Sequence, residues 1–63
     1  MKAKIRIEVW YTNGLFRAYP KVDELSIKME EKDRFMSFTF GEHNHSACIN
    51  MDNVNFIEYM NED

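Results

Sequence analysis

Apolar and polar residues alternate along the first part of the chain. Between Lys2 and Tyr11 every second residue is apolar, and this set comprises Ala3, Ile5, Ile7, Val9 and Tyr11. The polar or amphipathic residues between them are Lys2, Lys4, Arg6, Glu8 and Trp10. A two-residue period of this kind predicts a β-strand with one buried and one exposed face.

The dipeptide Asn13-Gly14 follows this strand and indicates a β-hairpin. A two-residue type I′ turn needs positive φ at both central residues, which asparagine tolerates and glycine adopts freely. That loop length places Tyr11 opposite Phe16 and fixes which residues share a face. The outer face of the predicted hairpin then carries Arg6, Glu8, Trp10, Arg17, Tyr19 and Lys21.

Pro20 is expected to end the second strand, because proline cannot donate a hydrogen bond to a neighbouring strand. Two further alternating segments follow, at 25–30 and 35–40. With a loop at Lys32-Asp33, their apolar residues match across a second antiparallel pair. The predicted partners are Leu25 with Phe40, Ile27 with Phe38, and Met29 with Met36.

The last part of the chain predicts two short strands joined by a turn. The first of these strands runs from Ala47 to Met51, with Ala47, Ile49 and Met51 facing inward. Asp52-Asn53 interrupts the pattern, and the apolar residues that follow fit a 3-10 or helical turn near residues 52–56 and then a final strand. A short C-terminal helix is the alternative. Residues 61–63 are expected to form a short acidic tail.

The spacing of the turn signals predicts an all-β fold in one small domain, residues 1–63. Five or six antiparallel strands in a meander would close into a small barrel or pair at their edges in a dimer, because open sheets leave their edges unprotected. The segment from Ile49 to Ile57 resembles the strand, one-turn helix and strand that end SH3-like barrels. This resemblance covers about nine residues and implies the fold alone, since a fold does not specify a function.

Composition excludes several classes of protein. The 63 residues are 44% hydrophobic and 14% aromatic, which is typical of a folded domain and not of a disordered segment. No apolar run is long enough to cross a bilayer. The single cysteine, Cys48, cannot form an internal disulfide, so we expect a soluble protein of the cytoplasm.

Charge is divided unevenly along the chain. All eight basic residues lie between Lys2 and Arg34, and together with six acidic residues they give residues 1–34 a net charge of +2. Residues 35–63 contain five acidic residues and no basic one, a net charge of −5. Such asymmetry predicts a surface with a positive and a negative side.

The sequence gives no support for an enzyme. His43, His45 and Cys48 are ligand types that zinc favours, but a structural zinc site needs four ligands, so we expect no metal unless two chains share the site. We expect no cofactor either. A nucleophilic Cys48 would need an oriented base and an oxyanion site, and the two glycines, Gly14 and Gly41, cannot form a phosphate-binding loop. A domain of this size also buries only about 60% of its unfolded surface, which leaves little room for an active site.

The outer face of the predicted first hairpin is the candidate binding surface, because tryptophan and tyrosine on a polar face need an explanation. One interpretation is a local cation–π contact of Arg17 with Trp10. The second is a protein interface, and the third is a nucleic-acid site in which rings stack on bases and cations contact phosphates. The net charge of −3 favours protein over nucleic acid. The candidate binding residues are Lys4, Arg6, Trp10, Arg17 and Tyr19.

We therefore expect a small non-enzymatic protein-binding module, itself a homo-oligomer, that acts by occupying the surface of a macromolecular partner. Short, acidic, aromatic-rich chains are associated with modulators or inhibitors of bacterial or phage origin, an association that rests on composition alone. The alternative is a nucleic-acid-binding small β-barrel that uses the basic and aromatic face of the first hairpin. No membrane partner is expected.

Overall fold

A computed structural model describes residues 4–61, which form six β-strands and two 3-10 turns. The strands are β1 (Lys4–Tyr11), β2 (Phe16–Asp23), β3 (Lys28–Glu30), β4 (Phe35–Phe40), β5 (His45–Asn50) and β6 (Val54–Asn61). The turns are Glu24–Ser26, between β2 and β3, and Met51–Asn53, between β5 and β6. The all-β prediction is confirmed. Within residues 4–61, no helix has the length and apolar character of a membrane span.

The strands form two three-stranded antiparallel sheets. Sheet 1 has the order β2-β1-β6 and sheet 2 has the order β3-β4-β5. Sheet 2 is the predicted meander, but sheet 1 is not, because β1 pairs with both its neighbour in sequence and the last strand. Among the described residues no ladder joins the two sheets, so a closed barrel is not shown.

The apolar core lies between the two sheets. Sheet 1 contributes three of the predicted inward residues of β1 and two residues of β2, and sheet 2 contributes three residues of β4 and β5. Each fully buried valine, isoleucine or methionine side chain of this core stabilises the fold by about 1.5–3 kcal/mol relative to leaving it exposed. The buried set is Ile5, Ile7, Val9, Tyr19, Val22, Met36, Phe38 and Ile49.

The first hairpin has a three-residue loop, and the predicted two-residue type I′ turn is wrong. Positive φ occurs at Gly14 (+90°) but not at Asn13, whereas a type I′ turn requires it at both. The Gly14 N–H donates to the Tyr11 carbonyl over 3.0 Å, and the Tyr11 N–H donates to the Leu15 carbonyl over 2.8 Å. The Asn13 side chain stabilises the loop by accepting from the Leu15 N–H.

Because the loop is one residue longer than predicted, the two faces of β2 are exchanged relative to the prediction. Trp10 lies opposite Phe16 instead of Arg17, and Ile7 lies opposite Tyr19. Because side chains alternate between faces, a shift of one residue exchanges the two faces of a strand. Tyr19 is therefore buried in the core, with 6% of its surface exposed, and Phe16 points outward.

Pro20 does not end the second strand, contrary to the prediction. β2 is at an edge of sheet 1, where proline is tolerated because its nitrogen need not donate to a partner strand. A β-bulge follows, with Lys21 at a φ of +53°, and it returns Val22 to a fully buried position opposite Ile5. The Gly41 N–H donates to the carbonyls of both Pro20 and Lys21, which ties sheet 2 to this bulge.

The turn Glu24–Ser26 carries the chain from sheet 1 to sheet 2. Asp23 caps it by accepting from the Leu25 N–H, and the Ser26 hydroxyl donates to the Asp23 carbonyl and accepts from the Thr39 N–H of β4. Leu25 lies in this turn with 81% of its surface exposed, so the predicted pair of Leu25 with Phe40 does not form. The pair of Ile27 with Phe38 is likewise absent from the ladder, whereas Met29 pairs with Met36 as predicted.

The C-terminal part follows the predicted order of strand, turn and strand. The turn lies at Met51–Asn53, slightly earlier than predicted, and Asn50 caps it by accepting from the Asp52 N–H. The alternative of a C-terminal helix is wrong, because β6 is extended along its whole length. Asn61 belongs to β6 and pairs with Ile5, so the predicted acidic tail at 61–63 begins inside the strand. Glu62 and Asp63, like residues 1–3, lie outside the described residues.

Candidate functional site

Three aromatic rings form a row across the outer face of sheet 1. Trp10 on the central strand lies between Phe16 on β2 and Phe56 on β6, opposite both of them in the ladders. The ring centroids are 5.0 Å apart for Trp10 and Phe16 and 5.3 Å apart for Trp10 and Phe56. We call these three residues the aromatic row. Phe16 and Phe56 expose 48% and 55% of their surfaces, whereas Trp10 between them is half-buried.

The position of the aromatic row follows from features of the sequence. Gly14 sets the loop length that brings Phe16 level with Trp10, and the Thr12 N–H donates to the Asn53 carbonyl and so aligns β6 with β1. Tilted rings at these separations are in the favourable range for aromatic pairs, which stabilise each other by about 0.5–1.5 kcal/mol beyond their burial. The aromatic row is therefore a preorganised apolar surface, and a partner would not need to order it.

Two carboxylates lie in the next position along the same face. Glu8 pairs with Glu58 across β1 and β6, one ladder step away from the aromatic row on that face. The Arg6 guanidinium donates to Glu8 over 2.8 Å, so the charge of Glu8 is compensated. Glu58 has no cation within ion-pair distance among residues 4–61, and it gives this side of the aromatic row a net negative charge.

The predicted binding residues do not share one face. Lys4, Arg6 and Trp10 lie on the outer face of sheet 1, as predicted, with Lys4 at the far end from Trp10. Arg17 and Tyr19 lie on the opposite, core-facing side, which corrects the predicted outer face. The reason is the longer hairpin loop, which exchanges the two faces of β2.

The cation–π contact occurs with a different ring from the one considered. The Arg17 guanidinium carbon lies 5.5 Å from the centroid of the Tyr19 ring and not over Trp10. Tyr19 in turn contacts Phe38 and Phe40 edge to face, at 5.2 and 5.1 Å between centroids. Arg17 thus covers one end of the core, and its role in this geometry is local packing.

Tyr11 and Tyr19 interact beneath Arg17. Burial is the largest cause that raises the pKa of Tyr11 above its ordinary value, and a hydrogen bond with the Tyr19 side chain adds to it. The positive charge of Arg17 acts in the opposite direction. Tyr11 therefore keeps its proton to a higher pH than an exposed tyrosine does.

The candidate zinc ligands are divided between the two faces of β5. His45 lies opposite Phe40 on the core side, with ring centroids 5.6 Å apart, whereas Cys48 is exposed on the outer face opposite Ser37. The ring centroids of His43 and His45 are 6.3 Å apart. Among the described residues no group of three or more His, Cys, Asp or Glu side chains is arranged to hold a metal ion.

The two oppositely charged parts of the sequence pair with each other in the fold. Lys21 forms an ion pair with Glu42, and Arg34 forms one with Asp52, each joining a basic residue of the first part to an acidic residue of the second. The Lys21 hydrogen bond is the main cause that lowers the pKa of Glu42. The predicted division into a positive and a negative side is thus reduced by these pairs.

Sequence reasoning missed Phe16 and Glu58 as parts of the site. Phe16 was placed on the core face because the loop was taken as two residues long, and Thr12 before Asn13-Gly14 is compatible with either length. No sequence pattern distinguishes Glu58, because it lies beside the aromatic row only through the pairing of β6 with β1. That pairing of distant segments leaves no local signal in a single sequence.

Comparison with protein-family models, with curated proteins and with solved structures found no match to this chain. Function is therefore inferred from the geometry of the outer face of sheet 1 and from the chemistry of its side chains.

Proposed function

We propose that this protein is a non-enzymatic docking module that binds another protein through the aromatic row. The observation that carries the proposal is the line of three contacting rings across sheet 1, in which the exposed Phe16 and Phe56 flank the half-buried Trp10. Tryptophan and other large rings dominate the energetics of protein interfaces, because they bury a large apolar area with few rotatable bonds. The mechanism is occupancy: the bound module covers the surface of its partner.

The surroundings of the aromatic row favour protein over nucleic acid. The nearest charged residues on that face are Glu8 and Glu58, and the nearest cation, Arg6, is engaged with Glu8. A nucleic-acid site needs free cations beside stacking rings, because phosphate contacts supply most of the affinity. Arg17, the other cation considered for that role, packs on Tyr19 at the opposite face.

The test is retention of partners on immobilised protein from a lysate of the source organism, with and without nuclease, followed by identification by mass spectrometry. Trp10→Ala is expected to weaken binding of a retained protein by about thirtyfold, the effect of a hot-spot residue. The matched control is Phe35→Ala, because Phe35 is an exposed ring on the outer face of sheet 2. Loss of all retained material on nuclease treatment, or equal effects of the two substitutions, would contradict the proposal.

Self-association is a second candidate, and the exposure of Phe16 and Phe56 supports it because a second copy could cover them. The homo-oligomer predicted from the sequence would then use the same face. Sedimentation equilibrium decides between the two: a dimer that Trp10→Ala converts to a monomer supports self-association. A monomer at all accessible concentrations contradicts it.

We also propose that the fold is an SH3-like barrel and that the protein acts in the cytoplasm. The order β2-β1-β6 against β3-β4-β5, with a 3-10 turn before the last strand, supports an SH3-like barrel whose two sheets are joined at the corner after β2. An experimental structure with the strands in another order would contradict it. The exposed thiol of Cys48 supports action in the reducing cytoplasm, and cell fractionation tests that assignment.

A further inference from the structure

The two sheets leave a gap between β6 and β3, and apolar side chains line it. Tyr59 on β6 and Met29 on β3 expose 50% and 53% of their surfaces there. One cavity of about 380 Å³ is lined by Ile5, Glu24, Ile27, Tyr59, Met60 and Asn61, and a second of about 440 Å³ by Met29, Glu30, Glu31, Arg34 and Met51. The first includes the C-terminal end of β6, and the second includes Met51 of the turn that precedes β6. We call this region the β6–β3 gap.

The backbone of β6 presents unpaired hydrogen-bonding groups along this gap. The Tyr11 N–H and carbonyl form hydrogen bonds with the backbone of Leu15 and Gly14, on the side of β2. The Thr12 N–H donates to the carbonyl of Asn53, on the side of β6. Because these directions alternate along a strand, Phe56, Glu58 and Met60, opposite the even-numbered residues of β1, bond to β1. The N–H and carbonyl groups of Ile57, Tyr59 and Asn61 therefore face away from sheet 1, where no described strand pairs with them.

From Phe56 to Asn61 this edge has few of the features by which proteins protect exposed strands, and the register shift of β6 lies before this stretch, between Val54 and Phe56. β6 is eight residues long and contains no lysine, arginine or proline. The other edge of sheet 1, β2, contains Pro20 and the bulge at Lys21, and the facing edge of sheet 2, β3, has only three residues. Among these three edges, β6 offers the longest regular row of donors and acceptors, from Phe56 to Asn61.

The charge around the gap identifies the chemistry of its occupant. Glu24 lines one cavity, Glu30 and Glu31 line the other, and Glu58 lies on the outer face of β6. None of these four carboxylates has a cation within ion-pair distance among residues 4–61. Arg34, which lines the second cavity, is engaged with Asp52. A second copy of β6, with Glu58 as its single charged residue, offers no cation to these carboxylates.

We propose that a partner protein adds an extended segment of alternating apolar and basic residues to the free edge of β6. Its backbone would continue the ladder of sheet 1, as in other cases of strand addition. Its apolar side chains would cover Tyr59 and Met29 inside the gap, and its basic side chains would meet Glu58 on the outer face and the other carboxylates at the ends. The inference goes beyond the docking function, because it holds whether or not the aromatic row binds anything.

The test uses a defined probe, an eight-residue peptide of alternating valine and lysine with blocked termini, titrated into ¹⁵N-labelled protein. Binding is expected to shift and protect the amides of Ile57, Tyr59 and Asn61. The control peptide has the same side chains but N-methyl groups on alternate backbone nitrogens, so it keeps the charge and loses ladder hydrogen bonds. It is expected to bind at least about tenfold more weakly. A peptide of alternating valine and glutamate is expected not to bind.

Variants of the protein separate this inference from the proposed docking function. Tyr59→Lys places a cation at the edge and is expected to weaken binding of the valine–lysine peptide by about tenfold or more. Ser46→Lys, on the outer face of β5, is the matched control and is expected to have little effect. Trp10→Ala is expected to leave peptide binding unchanged.

Three results would overturn the inference. Equal binding of the N-methylated peptide would indicate charge attraction alone. Shifts centred on another strand would place the peptide elsewhere. Protection of the β6 amides in the free protein, lost on dilution, would mean that a second copy occupies the edge.

Discussion

Trp10 and Phe16 face each other across the first hairpin, with their ring centroids 5.0 Å apart. The contact exists because the loop holds three residues and only Gly14 has positive φ. With one residue fewer, Arg17 would face Trp10 and the outer face of sheet 1 would carry a cation beside the indole. The loop thus determines whether this face is an aromatic surface or a mixed cationic one.

Gly14→Ala is expected to reduce the free energy of unfolding by about 1–2 kcal/mol, measured by urea titration. The cause is conformational, since φ is +90° and an added Cβ would meet no atom within 4 Å. Asn13→Ala should cost less, because Asn13 has an ordinary φ and loses only an exposed hydrogen bond to the Leu15 N–H. Equal costs for the two substitutions would indicate a type I′ turn and contradict the observed register.

Tyr19→Ala is expected to destabilise the protein by about 3–5 kcal/mol, since it leaves a cavity beside Phe38 and Phe40. Leu25→Ala is the control. Its side chain is 81% exposed, so a change within about 0.5 kcal/mol is expected in the same denaturation experiment. The reverse order of the two effects would support the facing pattern predicted from the sequence.

Stability is expected to fall at alkaline pH partly through Tyr11. Its pKa is raised in the folded protein, so its contribution to stability is fully present below the unfolded pKa and is lost as pH rises through the folded value. With an ordinary pKa of 10.0, the loss begins near pH 10. The Tyr11→Phe variant should lose less free energy of unfolding than the unsubstituted protein between about pH 9 and 11, the range in which tyrosine titrates. A parallel loss in both proteins would exclude Tyr11 as the cause.

The ion pair of Lys21 with Glu42 is expected to weaken in acid. The pKa of Glu42 is lowered from 4.5, so the pair contributes stability above that pH and loses it as pH falls through the folded pKa. The difference in unfolding midpoint between the protein and its Glu42→Gln variant should therefore narrow below pH 4.5. A difference that stays constant into acid would show that the carboxylate charge is not what matters. Because Glu42 is fully exposed, the pair should also weaken with added salt.

Local patterns in the sequence were sufficient for most of the strands and for much of the core. Alternation along β1 and β4 correctly identified Ile7, Val9, Met36 and Phe38 as inward residues, because a two-residue period is a direct consequence of strand geometry. The facing of β2 could not be predicted, because it depends on one residue of loop length. Both lengths are compatible with Asn-Gly turns.

The candidate site was predictable only in part for a related reason. Trp10 was correctly placed on the outer face of β1, because the alternation of β1 alone determines its orientation. Phe56 becomes its neighbour through pairing of β1 with β6, and nothing in either segment specifies that pairing. Leu25, predicted to be buried, is exposed because Asp23 caps a 3-10 turn there.

The position of β1 at the centre of sheet 1 has a consequence for how the chain folds. One partner, β2, is close in sequence, but the other, β6, is separated from β1 by the whole of sheet 2. Contacts between distant segments form slowly, because a long loop must close before they stabilise anything. The first hairpin can therefore form early. The edge of β1 that pairs with β6 in the native fold then remains unpaired until β6 adds to it. During that interval the chain is most exposed to intermolecular pairing, so its refolding yield should depend on protein concentration.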